Sequence, residues 1–196
     1  MKDQSRFKQI LTISWILFLI TCIGIFFIYS EHFTPQKIAA FIEEFKGGVL
    51  IIYLFISLLR GLTLVPSTPF VLAGTILLPN NPFLVLLISI TGIIFSSTMI
   101  YYFSDYLGFG TYLEKKYPGK IIKIKEQLQK PTGFFFVFFW SFFPVLPTDA
   151  VCYVAGVLRI DFKKYILAIT LGELIICSIY IFFYGILSDV FKQYFG

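Results

Sequence analysis

Apolar and polar positions along this chain segregate into long blocks rather than alternating with a short period. Five apolar runs stand out: Ile10 to Ser30, Gly48 to Pro79, Pro82 to Ser104, Thr132 to Leu158 and Tyr165 to Ser188. The first and third hold no charged residue, and the other three hold one each: Arg60, Asp149 and Glu173. As helices rising about 1.5 Å per residue, all five are long enough to reach across about 30 Å of hydrocarbon.

Prolines interrupt two of the runs. Gly48 to Pro79 carries Pro66 and Pro69, and Thr132 to Leu158 carries Pro144 and Pro147. A proline inside a helix removes a backbone donor and clashes with the carbonyl four residues back, so neither run is expected to be one straight helix. Each is expected to be a re-entrant helical hairpin broken at its PxxP. Irregular backbone at membrane depth is tolerated only where protein covers it or a wet cavity lines it.

A shorter amphipathic segment precedes each broken run. In Thr34 to Lys46 a capping Thr and a Pro at the first helical position lead into Ile38, Phe41, Ile42 and Phe45 at helical spacing. In Lys120 to Lys130 the residues Ile121, Ile124 and Leu128 share one face among lysines. The expected fold is therefore an all-α polytopic membrane protein built as an inverted repeat. Each half has an amphipathic helix, a re-entrant hairpin with PxxP and a transmembrane helix, and an N-terminal transmembrane helix precedes both. Residues 1–33 form the anchor, 34–104 the first repeat, 105–118 a cytoplasmic linker, 119–188 the second repeat and 189–196 a short tail, all within one membrane domain.

Composition supports a membrane rather than an aqueous setting, because only 14% of the residues are charged, against roughly 25% in soluble domains. The first run is about 20 apolar residues, longer than the roughly 7–15 of a signal-peptide core, and no small-x-small cleavage site follows it, so a retained anchor is expected. Charge orients the chain. Of 16 Lys and Arg residues, 12 fall before the first run, in Lys115 to Lys130 or in Arg159 to Lys164, and the positive-inside rule makes these three regions cytoplasmic. The N-terminus is then cytoplasmic and the C-terminus external. The first hairpin must enter from outside and the second from inside, since two full crossings would put the Lys-rich loop on the wrong face. Inverted repeats with broken helices are a recurring plan of secondary transporters.

The segments "RGLTLVPSTPFVLAGTIL" and "FFPVLPTDAVCYVAGVLRIDFKKYILAITLGE" resemble the hairpin signatures of the DedA and VTT-domain superfamily, the SNARE-associated Golgi protein family. The likeness spans roughly residues 34–188, and the spacing PxxPxDxxxYxAG from Pro144 to Gly156 is its most specific part. It implies paired re-entrant hairpins and a role in moving lipids between leaflets, with phospholipid or polyprenyl phosphate as substrate. Many members carry an Arg three residues before the first proline of the second hairpin and another near the end of the span after the first. Here those places hold Ser141 and, approximately, Asp105.

Candidate chemistry is sparse. A charge at the bilayer centre costs about 2.5–3.5 kcal/mol or more, so Arg60, Asp149 and Glu173 should face a cavity or one another. Arg60 is the candidate to hold an anionic headgroup, and Asp149 or Glu173 the candidate for proton coupling. A second reading joins Arg60 and Asp149 in an ion pair that ties the hairpin tips together without meeting substrate. Tyr153 can offer a hydroxyl to the cavity, and Gly74 and Gly156 permit close helix packing. Glu173 also lies within a few turns of its run's ends, near enough to reach an interface.

Cys22, Cys152 and Cys177 lie one per run and match no metal or redox spacing, and His32 stands alone, so no metal or cofactor is expected. Nothing defines a nucleophile or a cofactor motif, and an enzyme is not expected. The expected partners are membrane lipids, anionic ones first, and no nucleic acid, with a homo-oligomer compatible. The expected function is a lipid transporter or scramblase. The alternatives are a proton-coupled transporter of a small soluble ion or metabolite, which would need a closed cavity, and a non-transporting assembly factor, which would seal the Arg60–Asp149 pair.

Overall fold

The computed structural model describes residues 2–107, 116–143 and 146–184. The described residues are all-helical. The helices are α1 (Lys2–Ile28), α2 (Pro35–Glu43), α3 (Val49–Leu59), α4 (Thr68–Leu77), α5 (Pro82–Tyr106), α6 (Pro118–Gln129), α7 (Pro131–Phe142), α8 (Thr148–Val157) and α9 (Phe162–Phe182). Three of them contain stretches long and apolar enough to cross a membrane: Ile10–Ile28 in α1, and all of α5 and α9. The chain is a membrane protein. Most of the expected 105–118 linker and the 189–196 tail lie outside the described residues, as does Pro144; α5 itself runs on to Tyr106.

Proline begins helices in this chain. It stands in the first two positions of α2, α4, α5, α6 and α7, where its missing N–H would have had no intrahelical partner. Pro147 occupies the residue before α8. Pro66 lies in the gap between α3 and α4, which opens with a 3-10 turn, Arg60–Thr63, closed by Leu64 in the left-handed region at φ 59°. Two helices have side-chain caps: Thr34 Oγ1 accepts from the Lys37 amide at 3.4 Å, and Asp161 Oδ1 accepts from the Lys164 amide at 2.9 Å.

The two amphipathic segments divide their apolar residues differently from the sequence expectation. In α2, Ile38, Ala39 and Ile42 are buried, but Phe41 and, just past the helix, Phe45 are exposed and meet edge to face, with ring centroids 5.3 Å apart. In α6, Ile121 and Leu128 pack on the core, whereas Ile124 is exposed. The apolar stripe is wider than the protein contact.

Helix directions follow from the contacts. Gly92 of α5 abuts Ser57 of α3, and Ser96 abuts Gly61, so α3 and α5 run parallel. In the second half, Gly172 of α9 abuts Phe138 and Ser141 of α7, and Phe134 shares a groove with Lys164 and Leu167, so α7 and α9 run parallel too. The long helices α5 and α9 are antiparallel: Tyr101 stacks on Tyr165 at 5.2 Å near one end, and Phe83 meets Phe182 at 5.3 Å near the other. α1 is antiparallel to α5, because Trp15 lies edge-on to Phe103 and Lys8 sits over Tyr106.

α5 is the central helix. Its buried face carries Ser89, Gly92, Ser96, Ser97 and Ser104, whose small side chains let α3 and α8 come close. Gly74 and Gly156 both lie at close contacts. A Cβ on Gly74 would collide with the Tyr53 ring and hydroxyl, and one on Gly156 with Ser104 Oγ and the Tyr101 carbonyl. Ser141 is buried against Gly172, and its hydroxyl donates to the Val137 carbonyl at 2.9 Å. Asp105 sits at the surface, where it accepts from Arg159 Nε at 2.5 Å and joins the end of α5 to the end of α8.

These contacts generate a stability prediction. Gly156→Val should destabilise by about 1–3 kcal/mol, because the Tyr101 carbonyl belongs to a helix and cannot step aside. Gly24→Ala should be neutral or slightly stabilising, since nothing lies within 4 Å of its added methyl. Thermal unfolding in detergent reads both, and equal losses would contradict the packing assignment.

Candidate functional site

Two of the three charges of the apolar runs, Arg60 and Asp149, lie at the helix breaks, and all three are buried. Arg60, Asp149 and Glu173 are 9%, 5% and 2% exposed. Arg60 closes the C-terminal end of α3, and Asp149 lies in the first turn of α8. A cation suits the partial negative charge of a helix C-terminus and an anion the partial positive charge of an N-terminus, each by about 0.3–1 kcal/mol and up to about 2 when partly buried. Each charge is thus partly stabilised by its own helix end.

Gly61 brings the two breaks together. With no side chain of its own it accepts Ser96 of α5 on top of it, and a Cβ there would lie 3.4 Å from Asp149 Oδ1. The Asp149 carboxylate therefore rests against the residue that follows Arg60. The two groups are close enough for Arg60 to act on Asp149 through space. Even so, the expected alternative of a tying ion pair is not borne out: among the described residues Arg60 and Asp149 form no ion pair, and neither side chain makes a hydrogen bond.

Both line one cavity of about 330 Å³. Its walls come from the first break (Leu64, Pro66, Ser67, Thr68), the second (Leu146 to Ala150) and α1 (Ile23, Phe26, Phe27). Phe27 is 72% exposed and Pro66 is also exposed, so the cavity opens to the outside of the bundle beside the last turns of α1.

Glu173 takes a different place. It sits at mid-helix in α9 and is buried in the bundle. Its carboxylate accepts a short hydrogen bond from the Thr148 hydroxyl, and Cys177 Sγ donates to the other oxygen at 3.8 Å. Thr148 lines the cavity and Glu173 stands behind it. Tyr153 does not line the cavity either. Its hydroxyl accepts from Trp15 Nε1 at 2.9 Å, fastening α8 to α1. Among the breaks, Pro66 and Pro147 line the cavity, Pro69 starts α4 behind it, and Pro144 is outside the described residues.

Sequence reasoning did not find Thr148, the partner of Glu173, although it precedes Asp149 in "PTDA". It also missed α1 as a cavity wall, and the uncharged run Ile10 to Ser30 gave no signal of such a role. No group of three or more potential metal ligands occurs among the described residues.

A family model described as the VTT domain matches residues 65–185, more than half of the chain. The match takes in both helix breaks from Val65 onward, and Arg60 lies just ahead of it. No curated protein and no solved structure matches.

The link between α8 and α9 can be tested directly. Thr148→Val leaves the buried Glu173 carboxyl short of its donor and should cost about 1–3 kcal/mol, whereas the same change in a Glu173→Leu background should cost much less. Unfolding of the two single variants and the double variant measures the coupling, and strict additivity would show that the contact carries no energy.

Proposed function

Because the chain belongs to the VTT-domain family, we propose that it moves a lipid between membrane leaflets, as a transporter or scramblase, and that it is not an enzyme. One observation carries the reading. Two buried charges that make no hydrogen bond or ion pair among the described residues share a cavity that opens sideways, next to an exposed phenylalanine of an apolar helix. A headgroup entering there can meet charge while its tails stay against Ile23, Phe26 and Phe27. A soluble ion would be served better by a closed cavity, and a purely structural role by a sealed Arg60–Asp149 pair.

The reading includes a topology. With α1 leading outward, α5 returns inward and α9 leads outward again. α3, parallel to α5, descends from the external face, and α7, parallel to α9, ascends from the cytoplasmic one. The two broken runs are then re-entrant hairpins of inverted repeats, entering from opposite faces. The helix directions support this arrangement, and it leaves Lys116 to Lys130 and Arg159 to Lys164 cytoplasmic, as the positive-inside rule requires. The cavity lies where the hairpin tips meet, and the substrate carries a phosphate, as a phospholipid or polyprenyl phosphate does.

Vesicle reconstitution tests the proposal. Purified protein should speed leaflet exchange of an acyl-labelled phospholipid, read by dithionite quenching. Arg60→Gln should slow it by about tenfold or more, on the scale of a lost charge-assisted hydrogen bond. Asp105→Asn, which removes only an exposed ion pair, should leave the rate within about twofold. An Arg60→Gln variant as fast as the wild type would remove the cavity from the mechanism.

A further inference from the structure

Away from the helix breaks, a second concavity opens on the outside of the bundle. Pro131, Phe134 and Phe135 of α7 and Lys163, Lys164 and Leu167 of α9 line a groove of about 370 Å³. We infer that this groove is a binding site for one anionic phospholipid, its phosphate held by Lys163 and Lys164 and the upper part of an acyl chain laid against Phe134, Phe135 and Leu167. The groove shares no residue with the Arg60–Asp149 cavity, and the inference does not depend on any lipid being transported.

The position of the groove comes from where two helices start. α7 begins at Pro131 and α9 at Phe162, and because the two run parallel both N-termini lie at the same end of the bundle. Lys163 and Lys164 occupy the first turn of α9, and Leu167 lies one turn further on, level with Phe134 and Phe135 in the second turn of α7. α9 is long and apolar enough to cross a membrane. The first turn of such a helix stands at the headgroups, to which lysines near a helix end extend, and the next turn stands at the top of the acyl chains. The groove therefore presents cations at the depth of lipid phosphates and apolar surface at the depth of lipid tails.

Charge complementarity fixes the class of lipid. Among the described residues that line the groove, the two lysines carry the only charges, and no carboxylate offsets them. Both are exposed, and neither ammonium makes a hydrogen bond or an ion pair among the described residues. Asp161, the acid next to them in sequence, does not line the groove, and its Oδ1 caps α9 by accepting from the Lys164 amide. The partial positive charges of the two helix N-termini act in the same sense as the lysines. Basic pockets between membrane helices hold phosphate headgroups in this way, whereas the trimethylammonium of a choline lipid gains nothing from two cations. The apolar wall is open rather than closed over: Phe135 is 57% and Leu167 53% exposed. A tail can lie along it while the headgroup stays with the lysines, which a small soluble anion cannot exploit.

The experiment uses the full chain in detergent, titrated with phosphatidylglycerol and with phosphatidylcholine of the same acyl chains and read by native mass spectrometry and by thermal unfolding. The wild type should hold one phosphatidylglycerol roughly tenfold more tightly than phosphatidylcholine, and its unfolding temperature should rise as phosphatidylglycerol is added, because a ligand of the folded state stabilises it. Lys163→Gln together with Lys164→Gln should bring phosphatidylglycerol down to the phosphatidylcholine affinity. Lys37→Gln together with Lys123→Gln, which removes the same charge from exposed positions elsewhere, should leave the preference within about twofold. Glycerol phosphate, which has the anion and no tails, should not move the unfolding temperature. Equal binding of the two lipids by the wild type, or equal losses in the two double variants, would overturn the inference in favour of diffuse surface charge. A shift with glycerol phosphate as large as that with phosphatidylglycerol would overturn it in favour of a simple anion site. The wild-type comparisons decide the question even if a double variant fails to fold.

Discussion

Hydrocarbon offers no hydrogen bonds and poor solvation for charge, and every irregular feature of this protein is placed to meet that constraint. A helix broken inside an apolar bundle exposes carbonyls at one end and amides at the other. Here two such breaks are brought against each other, with Asp149 of the second beside Gly61 of the first, and residues of both line a shared cavity. The same placement lets Arg60 sit on a helix C-terminus and Asp149 on a helix N-terminus, the two ends whose partial charges suit them. Breaks and charges are one solution, since either alone would be harder to bury.

The breaks can meet only because the helices around them approach closely. α5 presents serines and a glycine along its buried face, and Gly61 and Gly92 remove the side chains that would hold α3 away from it. Gly156 lets α8 settle against Tyr101 and Ser104, and Gly172 lets α7 settle against α9. Tyrosine hydroxyls then connect the packed elements: Tyr101 donates to the Ile160 carbonyl at 2.6 Å and Tyr165 to the Ser97 carbonyl at 3.0 Å. Buried hydroxyls of this kind find backbone acceptors because nothing else at that depth can satisfy them. Close packing of small residues is thus the scaffold, and the cavity that Arg60 and Asp149 line is the space it leaves at the helix breaks.

The first helix links scaffold and function. It is the least buried of the long helices, yet it closes one side of the cavity with Ile23, Phe26 and Phe27 and is fastened by Trp15 to Tyr153 and Phe103. Among the described residues it leans on the bundle through the Trp15–Tyr153 hydrogen bond, the Trp15–Phe103 ring contact and Lys8 over Tyr106, and it forms one wall of the cavity. In the lipid-transport reading this is the wall along which the tails travel.

Much of this architecture was written in the residue pattern. Long apolar runs, prolines at their breaks and polar caps determine where helices start and stop, because helix formation answers to local backbone chemistry and the length of an apolar stretch. The isolation of Arg60, Asp149 and Glu173 in apolar runs marked them as costly, and the structure buries all three, Arg60 and Asp149 against one cavity and Glu173 behind its wall. What the pattern could not decide was partnership. Whether Arg60 would pair with Asp149, which hydroxyl would reach Glu173, and whether Tyr153 would face the cavity or α1 depend on distances between elements far apart in the chain. Those distances are set by how closely helices pack, through glycines such as Gly61 whose neighbours no local rule specifies. The sequence alone determined the helices, the breaks and the charges that had to be hidden. Only the tertiary structure decided that Glu173 would be satisfied by Thr148 while Arg60 and Asp149 remained open to a cavity, because satisfying a buried polar group depends on geometry across the fold rather than on neighbours in the chain.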